Sequence, residues 1–176
     1  MNLRIAGIAV FAMCSMATAA SCKEYPIGEA QEKEGMHISA VYLQPIEMEP
    51  AGMMRDAKDS DVHLEADIKA AKGNPNGFAE GDWMGYLHVG YELVKLDDNK
   101  TLKGEFMPMV ANDGPHYGDN VKLLGPGKYK LTLTISPPGD HFGRHVDKET
   151  GVGPWFKTFS VDYEFVYAGT GKKGAY

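Results

Sequence analysis

Alternation of apolar and polar residues with a period of two is the feature of this sequence that most restricts its fold. The clearest case is residues 62–69, where two sets of side chains alternate. One set is Val62, Leu64, Ala66 and Ile68, and the other is His63, Glu65, Asp67 and Lys69. Because successive side chains of a β-strand point to opposite faces, this pattern predicts a strand with its apolar face in the core.

Further strand-like segments follow along the chain, separated by stretches rich in Gly, Pro and Asn. The predicted strands are His37–Met48, Val62–Ile68, Met84–Leu96, Leu102–Val110, Lys128–Ser136 and Trp155–Tyr167. The predicted loops are Lys72–Asp82, Ala111–Asn120 and the long Pro137–Pro154. Six or seven strands at this spacing, with no convincing amphipathic helix, predict an all-β fold: an immunoglobulin-like antiparallel β-sandwich. A chain of 176 residues suits one such domain.

The first 19 residues have the pattern of a secretory signal peptide. A positively charged start, Met1–Arg4, precedes the apolar run Ile5–Met16 and the small residues Ala17-Thr18-Ala19. The apolar run is too short to cross a bilayer, so we expect no membrane span in the mature chain. The predicted organisation is a signal peptide (1–19), an N-terminal arm (20–35), a metal-binding β-sandwich (36–168) and a C-terminal tail (169–176).

Cysteine use and charge exclude several classes of protein. Cys14 lies in the signal segment, so Cys22 is alone in the mature chain and has no internal disulfide partner. Two alternatives follow for Cys22: soluble export, or a lipid anchor at this residue despite a poor lipidation sequence before it. Loss of Arg4 with the signal peptide changes the formal net charge from −6 to −7. An acidic chain of this kind is not expected to bind nucleic acid, which requires a basic face.

The side chains that could carry chemistry are dispersed imidazoles, thioethers and carboxylates. HExxH, CxxC, GxSxG and Walker sequences are absent. His63 and Glu65 are two apart on a predicted strand and share its polar face, which would make half of a divalent-metal site. The alternative is an ordinary solvent-facing strand.

Two later stretches offer more donors. Met107 and Met109 are followed by Asp113 and His116 in a Gly-rich stretch, where a thioether beside imidazoles would suit copper. On their own, the two methionines are more typical of core filling.

The second stretch is Gly139–Asp147, where His141 and His145 are four residues apart. The prolines and glycines around them argue against a helix, so we expect one of the two at most in a site. We expect structural or surface roles for His37 and His88.

Four ordered segments together resemble the periplasmic Fe2+-transport protein family, over about residues 25 to 167. They are Asp61–Asp67, Phe106–Met109, Gly114–Gly118 and Gly143–Val152. The resemblance implies an immunoglobulin-like β-sandwich that is usually a homodimer and lies in the periplasm. It also implies copper as a cofactor and iron (Fe2+/Fe3+) as cargo, handled beside an inner-membrane iron permease.

Carried over residue by residue, the resemblance implies a metal site of five residues: His63, Glu65, Met109, His116 and His145. His141 remains the alternative to His145. The leading hypothesis is therefore a periplasmic copper-containing iron-binding protein that supports iron uptake. The alternatives are a ferrous-iron oxidase, a copper-buffering protein, and an adhesion or chaperone sandwich whose histidines bind no metal.

Overall fold

Residues 23–169, described by a computed structural model, form antiparallel strands joined into one continuous sheet. The strands of this part of the chain are β1 (Tyr25–Pro26), β2 (Gln31–Lys33), β3 (Met36–Leu43), β4 (Val62–Ala70), β5 (His88–Lys95), β6 (Lys100–Ala111), β7 (Gly114–Val121), β8 (Gly127–Ser136) and β9 (Phe159–Tyr167). A single 3₁₀ turn, Ala57–Asp59, precedes β4. The predicted signal peptide and Cys22 lie outside the described residues. No helix within residues 23–169 is long and apolar enough to cross a membrane.

The sheet folds into two layers because β6 takes part in both. The strand order is β1-β3-β4-β7-β6-β5-β8-β9, and β2 also pairs with β3. The first part of β6, through Phe106, pairs with β5, and the part from Met107 onward pairs with β7. One layer therefore contains β3, β4 and β7, and the other contains β5, β8 and β9. The predicted all-β, immunoglobulin-like sandwich is confirmed.

The core lies between these layers and is made by the apolar side of the alternation. Leu64 and Ile68 of β4, and Leu131 and Leu133 of β8, are each at most 1% exposed. Tyr163 of β9 donates a hydrogen bond of 2.9 Å from its hydroxyl to a main-chain carbonyl of β3, that of residue 38. This bond ties the two layers together at the side away from β6.

Several boundaries differ from the prediction, and one difference changes the site. The first long strand ends at Leu43 rather than at Met48, and the two that were predicted to begin at Met84 and Trp155 begin at His88 and Phe159. The predicted loop 111–120 was wrong, because most of it is strand β7. Its turn signals are real, but they occupy only the two-residue turn 112–113 between β6 and β7.

Candidate metal centre

The register of β4, β7 and β6 brings the candidate donors to one face of a single layer. Directly opposed residues of antiparallel strands point to the same side of the sheet. The opposed pairs are His63 with Asn120, Glu65 with Gly118, and Met109 with His116. The other face of these strands carries Leu64 and Tyr117 into the core. The predicted shared face of His63 and Glu65 is confirmed, and β7 adds His116 to it.

Two imidazoles converge on one carboxylate oxygen at this face. Glu65 Oε1 lies 3.4 Å from His63 Nε2 and 3.3 Å from His116 Nε2. The two imidazole rings are 6.0 Å apart between centroids and nearly perpendicular, at 76°. One potential ligand atom from each of the three residues lies within 4.8 Å of the others. Three donors at this separation can bind one ion between them.

These three side chains are buried, which was not expected for the polar face of a strand. His63 is 0% exposed, His116 5% and Glu65 7%. Within the described part of the chain, neither of the two Nε2 atoms has a hydrogen-bond partner. A buried polar atom without a partner costs about 1–3 kcal/mol, so such atoms call for an explanation. Two buried nitrogens that face the same carboxylate are candidate ligands for a cation.

The hydrogen bond on the other side of the His63 ring determines which nitrogen is free. Asn120 donates from its Nδ2 to the main-chain carbonyls of Ile46 (2.8 Å) and Arg55 (2.9 Å). Its Oδ1, which lies 3.0 Å from His63 Nδ1, must therefore be the acceptor. His63 thus carries its proton on Nδ1, and its Nε2 presents a lone pair to the cavity. A second partner of this kind is usual for metal-binding histidines.

Gly118 provides the space that the His63 ring occupies. A Cβ atom at this position would lie 2.7 Å from Nε2 and 3.0 Å from Cε1 of His63. The first distance is below any normal carbon contact, and the ring is fixed by its bond to Asn120. Any residue other than glycine opposite Glu65 would therefore push the imidazole out of place.

Burial sets the charge state of the metal-free site. It lowers the pKa of His63 to about 4, while the hydrogen bond to Asn120 acts in the opposite direction and His116 lowers it further. Burial also raises the pKa of Glu65 to about 8, with Glu24, Asp67 and Asp113 adding to the effect. Without an ion, the site at neutral pH therefore has a neutral imidazole at His63 and a protonated carboxyl at Glu65. A cation would replace that proton and restore the negative charge of the carboxylate.

A cavity of about 600 Å³ opens from this face and adds soft and hard donors to the three residues. Met109, the fourth predicted residue, lines it together with Met48 and Met53. Glu24 and Asp113 also line it, and the pKa of Glu24 is raised by its own burial and by Asp113. The cavity thus combines thioethers, which suit copper, with carboxylates, which suit harder ions such as iron.

Within one chain, His145, the fifth predicted residue, lies apart from the group of His63, Glu65 and His116. It belongs to the long loop between β8 and β9, where it is exposed. Its Nδ1 is 2.8 Å from Thr150 Oγ1, and that hydroxyl donates to Asp147 Oδ2 at 2.7 Å. Because the hydroxyl proton is directed at the carboxylate, Thr150 accepts from His145 Nδ1–H. In the neutral ring, Nε2 of His145 therefore carries the lone pair, as Nε2 of His63 does.

Sequence reasoning missed three contributors to the site, namely Asn120, Gly118 and Glu24. The first two share a face with His116 by the same period of two that revealed His63 and Glu65. They were missed because residues 111–120 were interpreted as a loop. Nothing in the local sequence around Glu24 indicates its position at the cavity, which depends on β1 pairing with β3.

The sequence and the fold of this chain are similar to those of several known proteins. A family model described as "Fe2+ transport protein" matches residues 21–169. A UPF0423 protein of Brucella abortus is 71% identical over 98% of this chain and 97% of its own. Copper-reconstituted P19 of Campylobacter jejuni is 56% identical, with a TM-score of 0.83 over 85% of this chain and 99% of that one. FetP of uropathogenic Escherichia coli, recombinantly expressed in the periplasm, is 55% identical, with a TM-score of 0.81 over 84% of this chain and 97% of that one.

Proposed function

We propose a function from one premise: the chain belongs to the Fe2+ transport protein family. On this premise it is a periplasmic, copper-containing protein that binds iron and supports its uptake through an inner-membrane iron permease. The observation that carries the proposal is the buried group of His63, Glu65 and His116, with two imidazole nitrogens that have no partner among residues 23–169.

Copper fits the donors that this chain presents. His63 and His116 supply neutral imidazole nitrogens, Met109 lines the same cavity with its thioether, and Glu65 adds a carboxylate. Imidazole and thioether together suit copper in either oxidation state, because they are ligands of intermediate and soft character. The copper-reconstituted form of P19, a structural relative at 56% identity, supports the same assignment. When bound, copper would supply one-electron chemistry.

His145 enters the proposed ligand set through a second copy of the chain. Within one chain it lies outside the group of His63, Glu65 and His116. It is exposed, and Thr150 and Asp147 hold it with Nε2 free. A homodimer in which this loop lies over the partner's cavity would use that free nitrogen, and it would also cover the buried imidazoles. His141 is exposed as well, but no hydrogen bond orients its ring in the described part of the chain.

Iron is the proposed cargo, held beside the copper by oxygen donors. Glu65 faces both sites, and Glu24 and Asp113 line the same cavity. These groups favour a hard divalent cation there, because it would replace the proton on Glu65 and offset the mutual repulsion that helps to raise the pKa of Glu65 and Glu24. In this arrangement the residues bind and orient iron, and the permease accepts it.

Two measurements test the proposal. Crystals grown with copper should give anomalous scattering peaks at the copper edge beside His63, Met109 and His116, and peaks elsewhere would overturn the site. A deletion strain should grow poorly when iron is scarce and normally when it is abundant. Equal growth of deletion and parent strains under iron limitation would contradict iron transport, and copper sensitivity in its place would favour copper buffering.

A further inference from the structure

We propose that Asn120 is a positioning residue that joins the opening of the cavity to the orientation of His63. Residues 44–61 connect β3 to β4. The part that passes over the cavity is residues 44–59, which we call the covering segment, and Asp61 just after it is fixed to β7 through the carbonyl of Val121. Asn120 binds both this segment and the His63 ring. The inference rests on the proposed function in one respect, which is that His63 Nε2 binds a metal ion.

All of the hydrogen-bonding capacity of the Asn120 amide is used. The residue is 2% exposed. Its Nδ2 donates to the carbonyls of Ile46 and Arg55, and its Oδ1 accepts from Ile46 N at 3.2 Å and from His63 Nδ1 at 3.0 Å. An amide has two donor hydrogens and two acceptor lone pairs, so no position is left for water.

The covering segment depends on this one side chain for its polar attachment. Within residues 23–169, every hydrogen bond between residues 44–59 and a strand of the sheet involves Asn120. The other hydrogen bonds of the segment are local, at its 3₁₀ turn. None of its residues is buried. A segment with few buried groups and a single polar attachment is a natural place for local opening.

Opening of the covering segment and reorientation of His63 are therefore linked. When the segment leaves, Asn120 loses three of its four hydrogen bonds, and its amide is free to rotate and to offer Nδ2 to the ring. The imidazole can then move its proton to Nε2 and lose its lone pair toward the cavity. When the segment is closed, Oδ1 is held toward Nδ1 and the lone pair is held toward the metal.

The coupling must also act in the reverse direction. A metal ion on His63 Nε2 requires the proton on Nδ1, which favours the Asn120 orientation that donates to Ile46 and Arg55. Metal binding should therefore close the covering segment. The segment also carries Met48 and Met53, so closure brings two more thioethers to the cavity.

Cleavage by trypsin reports the coupling, because the covering segment contains Arg55 and Lys58, both exposed. Wild-type protein should be cut there slowly, and about tenfold more slowly again when copper(II) is added. The Asn120→Asp variant keeps an acceptor for His63 but has no donor for the two carbonyls. It should bind copper and yet be cut rapidly, with no protection by copper. The Asn120→Ala variant should also lose affinity for copper by about 10–100-fold, as is typical when the partner of a metal-binding histidine is removed.

Asn74→Asp is the matched control, because Asn74 is another buried asparagine whose Nδ2 donates to a loop carbonyl, that of Gly35. It should leave both copper affinity and cleavage at Arg55 unchanged. Equal protection by copper in wild type and Asn120→Asp would overturn the proposal, as would wild-type copper affinity in Asn120→Ala. If wild-type protein binds no copper, the proposed function fails. The attachment is then judged by metal-free cleavage alone, which Asn120→Asp must accelerate for it to stand.

Discussion

The rings of His63 and His145, two proposed metal ligands, are held by the same kind of hydrogen bond but in opposite settings. Each has its Nδ1 proton held by a neighbour, Asn120 for His63 and Thr150 for His145, so each Nε2 is free. His63 is buried on a strand, where the register of three strands determines what surrounds it. His145 is exposed in a loop, where Asp147 orients Thr150 within a short local turn. The setting of His63 requires several paired strands. The hydrogen bonds of His145 require only its own loop, so that loop could meet the surface of another chain.

The largest expected effect comes from removal of an imidazole in the buried group. His63→Ala should lower copper affinity by more than the roughly 10–100-fold that the loss of a second-shell partner costs, because it removes a direct ligand. Titration against a chelator of known affinity measures this. His37→Ala is the control, since His37 is a half-exposed strand histidine beside Glu32 and outside the group. Equal affinity of the two variants would show that the buried group is not the copper site.

Gly118→Ala should have the next largest effect. The added methyl group would lie 2.7 Å from His63 Nε2, so either the ring or the strand must move. Overpacking of this kind typically costs about 1–3 kcal/mol of folding free energy, and displacement of the ring should lower copper affinity as well. Gly90→Ala is the matched control on β5, because the nearest atom to its Cβ would be 3.8 Å away. Unfolding by urea and copper titration measure the two effects, and a Gly118→Ala protein that matches Gly90→Ala in both would refute the role of this space.

The same contrast explains how much of the molecule could be predicted from the sequence. Strands such as Val62–Ala70 and Gly127–Ser136 were predicted, and the local alternation of the first also predicted its inward face. The shared face of His63 and Glu65 followed from the same rule. The burial of that face did not, because it depends on the covering segment, which has no periodic pattern. Strand β7 was not predicted because Gly114 and Pro115 are typical loop residues. The roles of Gly118 and Asn120, which lie on the same strand, were therefore missed as well. In the proposed homodimer the role of His145 would depend on a second chain, which no pattern within one chain can specify.

The pH dependence of the metal-free protein should distinguish the buried group from the rest of the fold. His63 has a pKa of about 4 in the folded state against 6.5 in the unfolded state, so it favours folding less as the pH falls from 6.5 to 4. Glu65 has a pKa of about 8 in the folded state against 4.5 in the unfolded state. Its contribution to folding stability is therefore fully present below pH 4.5 and is lost as the pH rises to 8. The two slopes oppose each other between pH 4.5 and 6.5.

Between pH 6.5 and 8 only the Glu65 slope remains, and it amounts to about 2 kcal/mol of lost stability at roughly 1.4 kcal/mol per pH unit. Urea unfolding after removal of metal by a chelator measures this loss. Glu65→Gln, which has no proton to lose, should flatten the profile over this range, and Glu92→Gln, on the exposed ion pair with Lys103, should leave it unchanged. A Glu65→Gln profile as steep as that of wild type would contradict the protonated state of the buried carboxyl.

The smallest expected effect concerns the exposed histidine, His145, and its hydrogen bond to Thr150. Thr150→Val keeps the shape of the side chain but removes the hydroxyl that accepts from His145 and donates to Asp147. If His145 is a ligand, copper affinity should fall by about tenfold, the low end for loss of a second-shell partner, because the ring stays in place but loses its fixed proton position. Thr158→Val is the control, since its hydroxyl bonds only to Ser136 in the described chain. A double-mutant cycle decides the cause: Thr150→Val should have no effect in a His145→Ala protein. A loss that persists there would mean that Thr150 acts on the site through the fold of the loop rather than through the imidazole.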